Sequence, residues 1–228
     1  LAIPKLVDDD IDDAEHYSAS LSLDPDAILQ PASYREAMNG PEREHWEKAS
    51  AEEFIRLVET YKAMEFVAAS EKPVNVKATY YNPQVQKKRR NGVIIYRVRG
   101  TVGGNLIEIL GIKSSYTASL ATVKLHLNSV VSEDAEYITA DVKDYYLGSE
   151  MSEVFFMWVS RKQIPADIIA RYNLEPLFVD DMILVKIVKG MYGLPHAGKL
   201  AQDKLLPHLA KHGYHQCPNT RCLFKHES

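Results

Sequence analysis

A short segment in the second half of the chain constrains its fold more than any other. Residues 136–142 favour a β-strand that carries Asp141 near its end, and a second acid, Asp144, begins the sequence DYYLG. An aspartate at a strand end, beside a backbone carbonyl oxygen, can bind a hard divalent cation. With one more carboxylate, such a group could hold two metals against a triphosphate. We therefore predict a strand over residues 136–142 and a metal-dependent site at Asp141.

The net charge of −4 is unevenly distributed. Residues 1–60 hold 5 basic and 15 acidic side chains, whereas residues 61–228 hold 22 and 16. Five aspartates between positions 8 and 13 repel one another, which is typical of a disordered segment, and a calcium loop would need a central glycine and a later glutamate. We predict an acidic, disordered lead over residues 1–30 and a folded domain over residues 31–228. The basic remainder fits contact with phosphate, although a solvated surface explains it equally well.

Cysteine content and hydropathy indicate an intracellular chain. Cys217 and Cys222 are the two cysteines, which is too few for a disulfide framework and favours a reducing compartment. No apolar run approaches the roughly 20 residues of a membrane span, and no signal peptide is visible. The first residue is Leu1 rather than Met, so we expect a processed or partial sequence.

Two helices are predicted near the start of the folded domain. Ser33 and Glu36 have the spacing of a capping box that opens a short helix, and Gly40 ends it. In the helix that follows, apolar residues recur at intervals of three and four, with Glu53 as the one interruption. Its apolar face, which should pack against the core, consists of Trp46, Ala49, Phe54, Leu57, Val58 and Tyr61.

A β-hairpin with a basic tip is predicted next. Residues 74–81 and 93–102 favour strands, and residues 82–92 contain the turn-forming Asn-Pro and Asn-Gly pairs with the run KKRR between them. Alternation along the second strand places Arg97 and Arg99 on one face. Two guanidinium groups on one face suit a phosphate or a pair of carboxylates, and two ordinary surface arginines remain the alternative.

The remaining pattern mixes helices with strands in hairpins. We predict helices over residues 117–131, 165–172 and 198–213, and strands over residues 154–159 and 183–188. The strand at 154–159 should pair with the strand at 136–142. The buried positions predicted in the first and last of these helices are Leu120, Val123, Leu127, Val130, Val131, Leu200, Leu205, Leu206 and Leu209. The fold class is therefore α+β, with an antiparallel sheet and packing helices.

Four motifs in a fixed order point to a family. They are YREAMNGP at 34–41 with Trp46 after it, YRVRGTVGGN at 96–105, DVKDYYLG at 141–148 and KGMYGLPHAG at 189–198. In order and spacing the chain resembles the reverse transcriptase of Ty1/copia-type retrotransposons, over residues 33–226. The resemblance implies the fingers and part of the palm of a right-hand polymerase. It also implies an RNA-directed DNA polymerase that binds an RNA or DNA template, a DNA primer and dNTP.

The resemblance assigns roles to matching positions. Asp141 would be the catalytic carboxylate and would bind Mg²⁺, or Mn²⁺ in its place, together with the carbonyl group of Val142. Tyr146 would exclude a ribose 2′-hydroxyl. The other positions that would contact the nucleotide are Arg97, Arg99, Asp144, Tyr145 and His196. Those that would contact template or primer are Lys87, Lys88, Arg89, Arg90, Gly193 and Pro195. The family also implies a place in a Gag-Pol-type polyprotein, in a cytoplasmic particle or the nucleus.

Two departures from the family pattern lower the expected activity. His196 stands where the family has Gln, which replaces a neutral amide with a titratable ring. The paired aspartates of the family should follow residues 223–226, but the sequence ends at Ser228. We therefore expect a C-terminally truncated, catalytically incomplete chain. The alternative is a degenerate, non-enzymatic remnant that binds nucleic acid or serves only as a structural module.

Two other groups of residues invite a different interpretation. The sequence FVDD at 178–181 matches the missing aspartate hairpin by letters, but it precedes the motif at 189–198, so we predict a turn there. The cluster of His208, His212, His215, Cys217, Cys222 and His226 matches no common zinc spacing. We expect no zinc, and we expect both cysteines to be small buried side chains.

Overall fold

The computed structural model describes residues 30–109, 111 and 114–227, so nearly all of the predicted acidic lead lies outside the described residues. The helices are α1 (Tyr34–Asn39), α2 (Arg43–Ile55), α3 (Leu120–Ser132), α4 (Ala166–Arg171) and α5 (Ala197–Lys211). The strands are β1 (Met64–Val67), β2 (Thr79–Arg90), β3 (Val93–Val102), β4 (Glu150–Ser160), β5 (Met182–Lys189), β6 (Tyr214–Gln216) and β7 (Phe224–His226). A π-helical turn (Arg56–Thr60) continues α2.

Five strands form the main sheet, in the order β1-β5-β4-β2-β3. All neighbouring pairs are antiparallel except β2 and β4, which are parallel where Thr79 and Tyr80 meet Met157 and Trp158. Beyond this pairing, β2 and β3 continue as a two-stranded hairpin. Strands β6 and β7 form a separate antiparallel pair. The predicted α+β class with an antiparallel-rich sheet is confirmed.

The main core lies between α2 and the sheet. On α2 and the turn after it, Phe54 and Leu57 are fully buried, and Trp46 is 1% exposed beside the hairpin. Strand β5 lies between β1 and β4, and its Ile183, Val185 and other apolar residues are fully buried. The predicted apolar face of the second helix is therefore confirmed, as is the cap of α1, where the Glu36 backbone N–H donates to the Ser33 hydroxyl.

The hairpin has a tighter turn than the sequence predicted: β3 matches its predicted bounds, whereas β2 begins at Thr79 and extends to Arg90 instead of covering residues 74–81. Ten residue pairs, from Tyr81 opposite Val102 to Arg90 opposite Val93, form the ladder. The turn consists of Asn91 and Gly92, which both have positive φ, at 51° and 77°. Residues 82–90, expected in the turn region, lie in β2 because alternate side chains there pack against α1 and α2. An Asn-Gly pair is sufficient to close such a hairpin.

The predicted strand over residues 136–142 is wrong. This segment has no regular structure, and its Ile138 and Val142 side chains are 89% and 61% exposed. A strand needs a neighbour that satisfies its backbone hydrogen bonds, and no described strand lies beside this segment. The expected partner at 154–159 is a strand, but it pairs with β5 and with the start of β2.

Burial was predicted less well than secondary structure. Helix α3 forms close to its predicted position, but it buries no residue, and Leu120 and Val131 are 68% and 81% exposed. In α5 the fully covered residues are Ala197 and Ala201 instead of the predicted leucines, which are half-buried. The two cysteines are likewise half-exposed rather than buried.

The FVDD segment is a turn, as predicted. Asp180 and Asp181 have φ values of 48° and 60°, and Val179 and Met182 bridge across them into β5. The Asp181 carboxylate pairs with Arg161 at 2.9 Å. Within the described residues, no helix has the length and apolar character that crossing a membrane requires.

Candidate functional site

A cleft of about 750 Å³ opens between α2, the exposed face of β3 and the segment around residues 141–146. It gathers residues from three sequence motifs that lie far apart along the chain. The residues that matter for its chemistry are Glu52, Glu53, Arg56, Arg90, Arg97, Arg99, Asp141, Val142, Asp144, Tyr145, Tyr146 and Tyr192. Most of the predicted nucleotide-binding positions therefore meet in one cleft.

The hairpin presents a basic face. Residues that pair directly across an antiparallel ladder share a face, so Arg97 and Arg99 lie on the same side as their partners Gln86 and Gln84. Lys88 and Arg90 alternate onto this side as well. Neither strand contains an acidic residue. This face, which we call the basic hairpin face, consists of Gln84, Gln86, Lys88, Arg90, Arg97 and Arg99.

Lys87 lies on the opposite face and has a structural role. It is 8% exposed, and its amino group contacts both carboxylate oxygens of Glu42, at 2.6 and 2.7 Å. The Tyr96 hydroxyl also donates to Glu42, at 2.8 Å. These hydrogen bonds hold the pKa of Glu42 below its ordinary value. The Lys87 amino group is thus engaged within the protein, and its predicted contact with template or primer stays a prediction. Arg89 alternates onto the same side.

Asp141 lies in the cleft, but not at the end of a strand. Its side chain is exposed, within the irregular segment that precedes the 3₁₀ turn Tyr145–Gly148. Val142, the predicted source of a carbonyl ligand, is exposed beside it. The structure therefore brings Asp141 close to the two arginines of β3 without the strand geometry that the sequence predicted.

Asp144 is buried, unlike Asp141. Its side chain is 2% exposed and pairs with Arg56 at 2.5 Å, while the Tyr61 hydroxyl donates to its second oxygen at 2.7 Å. Burial alone would raise the pKa of the Asp144 carboxyl, but the hydrogen bonds from Tyr61 and Arg56 and the Arg56 charge outweigh it, so this pKa is lowered. Both oxygens of the Asp144 carboxylate are thus engaged within the protein. Its predicted contact with the nucleotide stays a prediction.

Glu53 links this ion pair to the hairpin. Its carboxylate accepts hydrogen bonds from Arg56 at 2.7 and 2.8 Å and from the Gly100 backbone N–H at 2.8 Å. At Gly100 a Cβ atom would lie within 2.8 Å of Leu57 and Tyr81, so only glycine lets β3 approach α2 this closely. Glu53, the acid that interrupts the apolar face of α2, therefore finds its hydrogen-bond donors in Arg56 and the backbone of β3.

Aromatic rings line the floor of the cleft. Tyr146 is half-buried, and its ring centre lies 4.9 Å from that of Tyr192 and 5.9 Å from that of Tyr145. The Tyr145 hydroxyl donates to the Ala201 carbonyl of α5 at 2.8 Å. The Arg99 guanidinium carbon lies 4.2 Å from the centre of the Tyr192 ring, a cation–π contact.

The glycine-rich motif at 189–198 packs against the end of β3. Gly193 has φ of +91°, and a Cβ atom there would lie 2.1 Å from the Val102 carbonyl oxygen. The backbone N–H of Val102 donates to the Tyr192 carbonyl at 2.8 Å. Neither Gly193 nor Pro195 is among the residues lining the cleft, so their predicted template contacts remain predictions.

His196 also lies outside the cleft lining. Its ring packs against Phe155, with 5.5 Å between ring centres, and its buried Nδ1 has no hydrogen-bond partner among the described residues. Burial lowers the pKa of this imidazole. Burial therefore favours the neutral form of this ring.

The described residues do not form a metal site of the expected kind. They contain no cluster of three or more His, Cys, Asp or Glu side chains able to hold a metal ion. In the cleft, the carboxylates of Asp141 and Glu52 have no ion-pair partner among the described residues, whereas those of Asp144 and Glu53 are engaged by Arg56. This donor set does not fit two Mg²⁺ ions, since each needs several oxygen ligands.

The chain matches no protein-family model, no curated protein and no solved structure. The family resemblance therefore rests on the four sequence motifs. Sequence reasoning missed two residues of the cleft, Arg56 and Tyr192. The sequence signal for Arg56 was Glu53, an acid on the otherwise apolar face of α2. The signal for Tyr192 was its position inside the motif at 189–198.

Proposed function

We propose that the chain is a reverse-transcriptase-type polymerase module whose cleft binds the triphosphate and sugar of a deoxynucleotide beside a primer–template. The observation that supports this most is the convergence of Arg97, Arg99, Asp141 and Tyr146 on a single cleft. These positions come from two separate motifs, and the resemblance implies that Arg97, Arg99 and Tyr146 contact the nucleotide and that Asp141 is the catalytic carboxylate.

The charge distribution of the cleft favours phosphate. Arg97 and Arg99 have no ion pair with any described carboxylate, whereas Arg56 on the opposite wall is neutralised by Glu53 and Asp144. A planar guanidinium forms paired hydrogen bonds with phosphate oxygens. Lys88 and Arg90 extend the same positive face toward the hairpin tip, where a nucleic-acid backbone could follow it.

The aromatic floor supports recognition of the sugar. The Tyr146 ring contacts the rings of Tyr145 and Tyr192, and these contacts restrict its movement. A bulky ring held in this way would exclude a 2′-hydroxyl by contact, and deoxynucleotides would bind more tightly than ribonucleotides. An intracellular location and a place within a Gag-Pol-type polyprotein follow from the same proposal.

We further propose that this 228-residue chain binds its ligands without efficient nucleotidyl transfer. Of the two aspartates in the cleft, Asp141 has no protein partner in the described structure and Asp144 is paired with Arg56 and Tyr61, and one free aspartate neutralises little charge at the reacting phosphate. The second candidate function, nucleic-acid binding without turnover, is favoured by the same observation together with the basic hairpin face.

Binding of dTTP, of a primer–template and of the two together, measured by fluorescence anisotropy, tests the proposal. We expect the double variant Arg97→Gln/Arg99→Gln to weaken dTTP binding by at least about tenfold, since each lost charge-assisted contact is worth roughly 1.5–3 kcal/mol. Lys211→Gln, which removes an exposed charge outside the cleft, is the control. Equal affinity of the double variant and the wild type would contradict the proposal.

Primer extension tests the second part. The purified chain should give no measurable incorporation with Mg²⁺ or Mn²⁺. Incorporation that is abolished by Asp141→Ala would show that the chain is a complete polymerase.

A further inference from the structure

Tyr192 lies where three parts of the cleft meet. Its ring contacts the Arg99 guanidinium at 4.2 Å and the Tyr146 ring at 4.9 Å, measured to ring centres. Arg99 belongs to the hairpin and Tyr146 to the 3₁₀ turn beyond Asp141, so one side chain touches both the predicted phosphate-binding group and the predicted sugar-binding group.

The backbone at Tyr192 is fixed to the strand that carries Arg99. The Tyr192 carbonyl accepts a hydrogen bond from the Val102 N–H at 2.8 Å, and Gly193 lies so close to Val102 that a Cβ atom would overlap its carbonyl oxygen. Because both ends of the Arg99–Tyr192 contact are anchored to β3, the ring has a set position relative to the guanidinium.

Arg99 depends on this ring for its orientation. No described carboxylate forms an ion pair with Arg99, and its guanidinium lies over the Tyr192 ring in a cation–π contact. A long side chain without such a contact samples many rotamers, and ordering it on ligand binding costs free energy. Arg97, two positions earlier on the same face, forms no cation–π contact with a ring of the described residues, so it provides an internal comparison.

We propose that Tyr192 is a positioning residue that holds Arg99 and Tyr146 together, so that phosphate and sugar are recognised as one unit. This inference rests on the proposed function of the cleft. The ring does not touch the reacting atoms; it acts through its two neighbours. The Tyr192 hydroxyl has no hydrogen-bond partner among the described residues, so phenylalanine should preserve the arrangement and leucine should not.

A double-mutant cycle measures the predicted coupling. The probes are inorganic tripolyphosphate and dTTP, titrated into the full chain. Tyr192→Leu should weaken binding of both by roughly 3- to 30-fold, the range expected for a cation–π contact, and Tyr192→Phe should stay within about twofold of wild type. In the Arg99→Gln background, Tyr192→Leu should weaken ligand binding little further. In the Arg97→Gln background, the effects of the two substitutions on the binding free energy should add.

Discrimination between dUTP and UTP, which differ only in the 2′-hydroxyl, gives a second readout. If Tyr192 also holds Tyr146, Tyr192→Leu should reduce the preference for dUTP, and a residue that only stabilised the fold would leave that preference unchanged. Thermal melts of every variant establish that each one is folded at the temperature of the titration.

A measurement without ligand separates this inference from the proposed function. In the free chain the Arg99 Nε–H resonance should show a ring-current shift that Tyr192→Leu removes and Tyr192→Phe keeps. Ligand binding that is unaffected by Tyr192→Leu, or effects that are additive with Arg99→Gln, would overturn the inference. A ring-current shift in a wild-type chain that binds neither probe would instead overturn the proposed function, and with it the ligand-binding role of Tyr192.

Discussion

Arg56 and Asp144 lie 88 positions apart and form an ion pair at 2.5 Å beneath the cleft. Arg56 also binds Glu53, and Glu53 binds the backbone of β3, so the pair connects α2, the hairpin and the turn that carries the cleft tyrosines. Asp144 has positive φ, at 54°, a left-handed conformation that aspartate adopts more readily than most residues. The ion pair therefore sets the geometry of the cleft floor.

Replacing Asp144 should destabilise the fold. Asp144→Asn removes a buried charge that accepts from Arg56 and Tyr61, and we expect the free energy of unfolding to fall by about 2 kcal/mol in urea at neutral pH. Asp141→Asn, the matched change at an exposed carboxylate in the same cleft, should stay within about 0.5 kcal/mol of wild type.

The effect of Asp144→Asn should also depend on pH. The pKa of Asp144 is lower in the folded chain than its ordinary value, so its contribution is complete above the ordinary carboxyl pKa and is lost as the pH falls through the folded pKa. The difference in stability between Asp144→Asn and wild type should therefore narrow in acid. A difference of the same size at neutral and strongly acidic pH would contradict this account.

Two adjacent lysines of β2 should respond in opposite ways to substitution. Lys88→Gln on the basic hairpin face should weaken primer–template binding and reduce the salt dependence of the affinity by about one charge, with little change in stability. Lys87→Gln breaks the contact with Glu42 and should cost about 1 kcal/mol in stability, with no change in salt dependence. Identical salt slopes for both variants would show that the hairpin does not bind nucleic acid through this face.

Alanine substitutions at Gly193 and Gly92 distinguish the loss of stability caused by steric overlap from the loss caused by backbone strain. Gly193→Ala places a Cβ atom against the Val102 backbone and also requires an unfavourable φ, so we expect a loss of about 3 kcal/mol or more. Gly92→Ala, at the hairpin turn, has a similar positive φ but open space around it and should cost about 1 kcal/mol. Equal losses in chemical denaturation would mean that Gly193 does not pack against β3.

His196 should titrate below the ordinary range of histidine. Burial lowers its pKa, so the unfolded chain binds a proton more readily than the folded chain, and stability falls as the pH drops below about 6.5. His196→Gln should flatten this part of the stability profile. A ¹H–¹³C NMR titration reports the pKa of the imidazole directly, and a value at or above the ordinary one would contradict the burial seen here.

Local patterns in the sequence predicted the elements that local physics controls. The Ser33 cap, the apolar face of α2, the Asn-Gly turn and the turn at Asp180 and Asp181 all depend on residues within a few positions of one another. The same patterns failed over residues 136–142, because a strand depends on a partner that no local pattern supplies.

The membership of the cleft was predicted only in part, and its arrangement was not predicted. The sequence placed Arg97, Arg99, Asp141 and Tyr146 in one candidate site, and the fold brings them to one cleft. Only the tertiary structure separated Lys87 from Lys88, because the helix behind the hairpin decides which face of β2 is buried. It likewise separated Asp141, which is exposed, from Asp144, whose charge is neutralised by an arginine 88 residues away. Distant partners determine burial and charge pairing, and those partners are fixed only when the chain has folded.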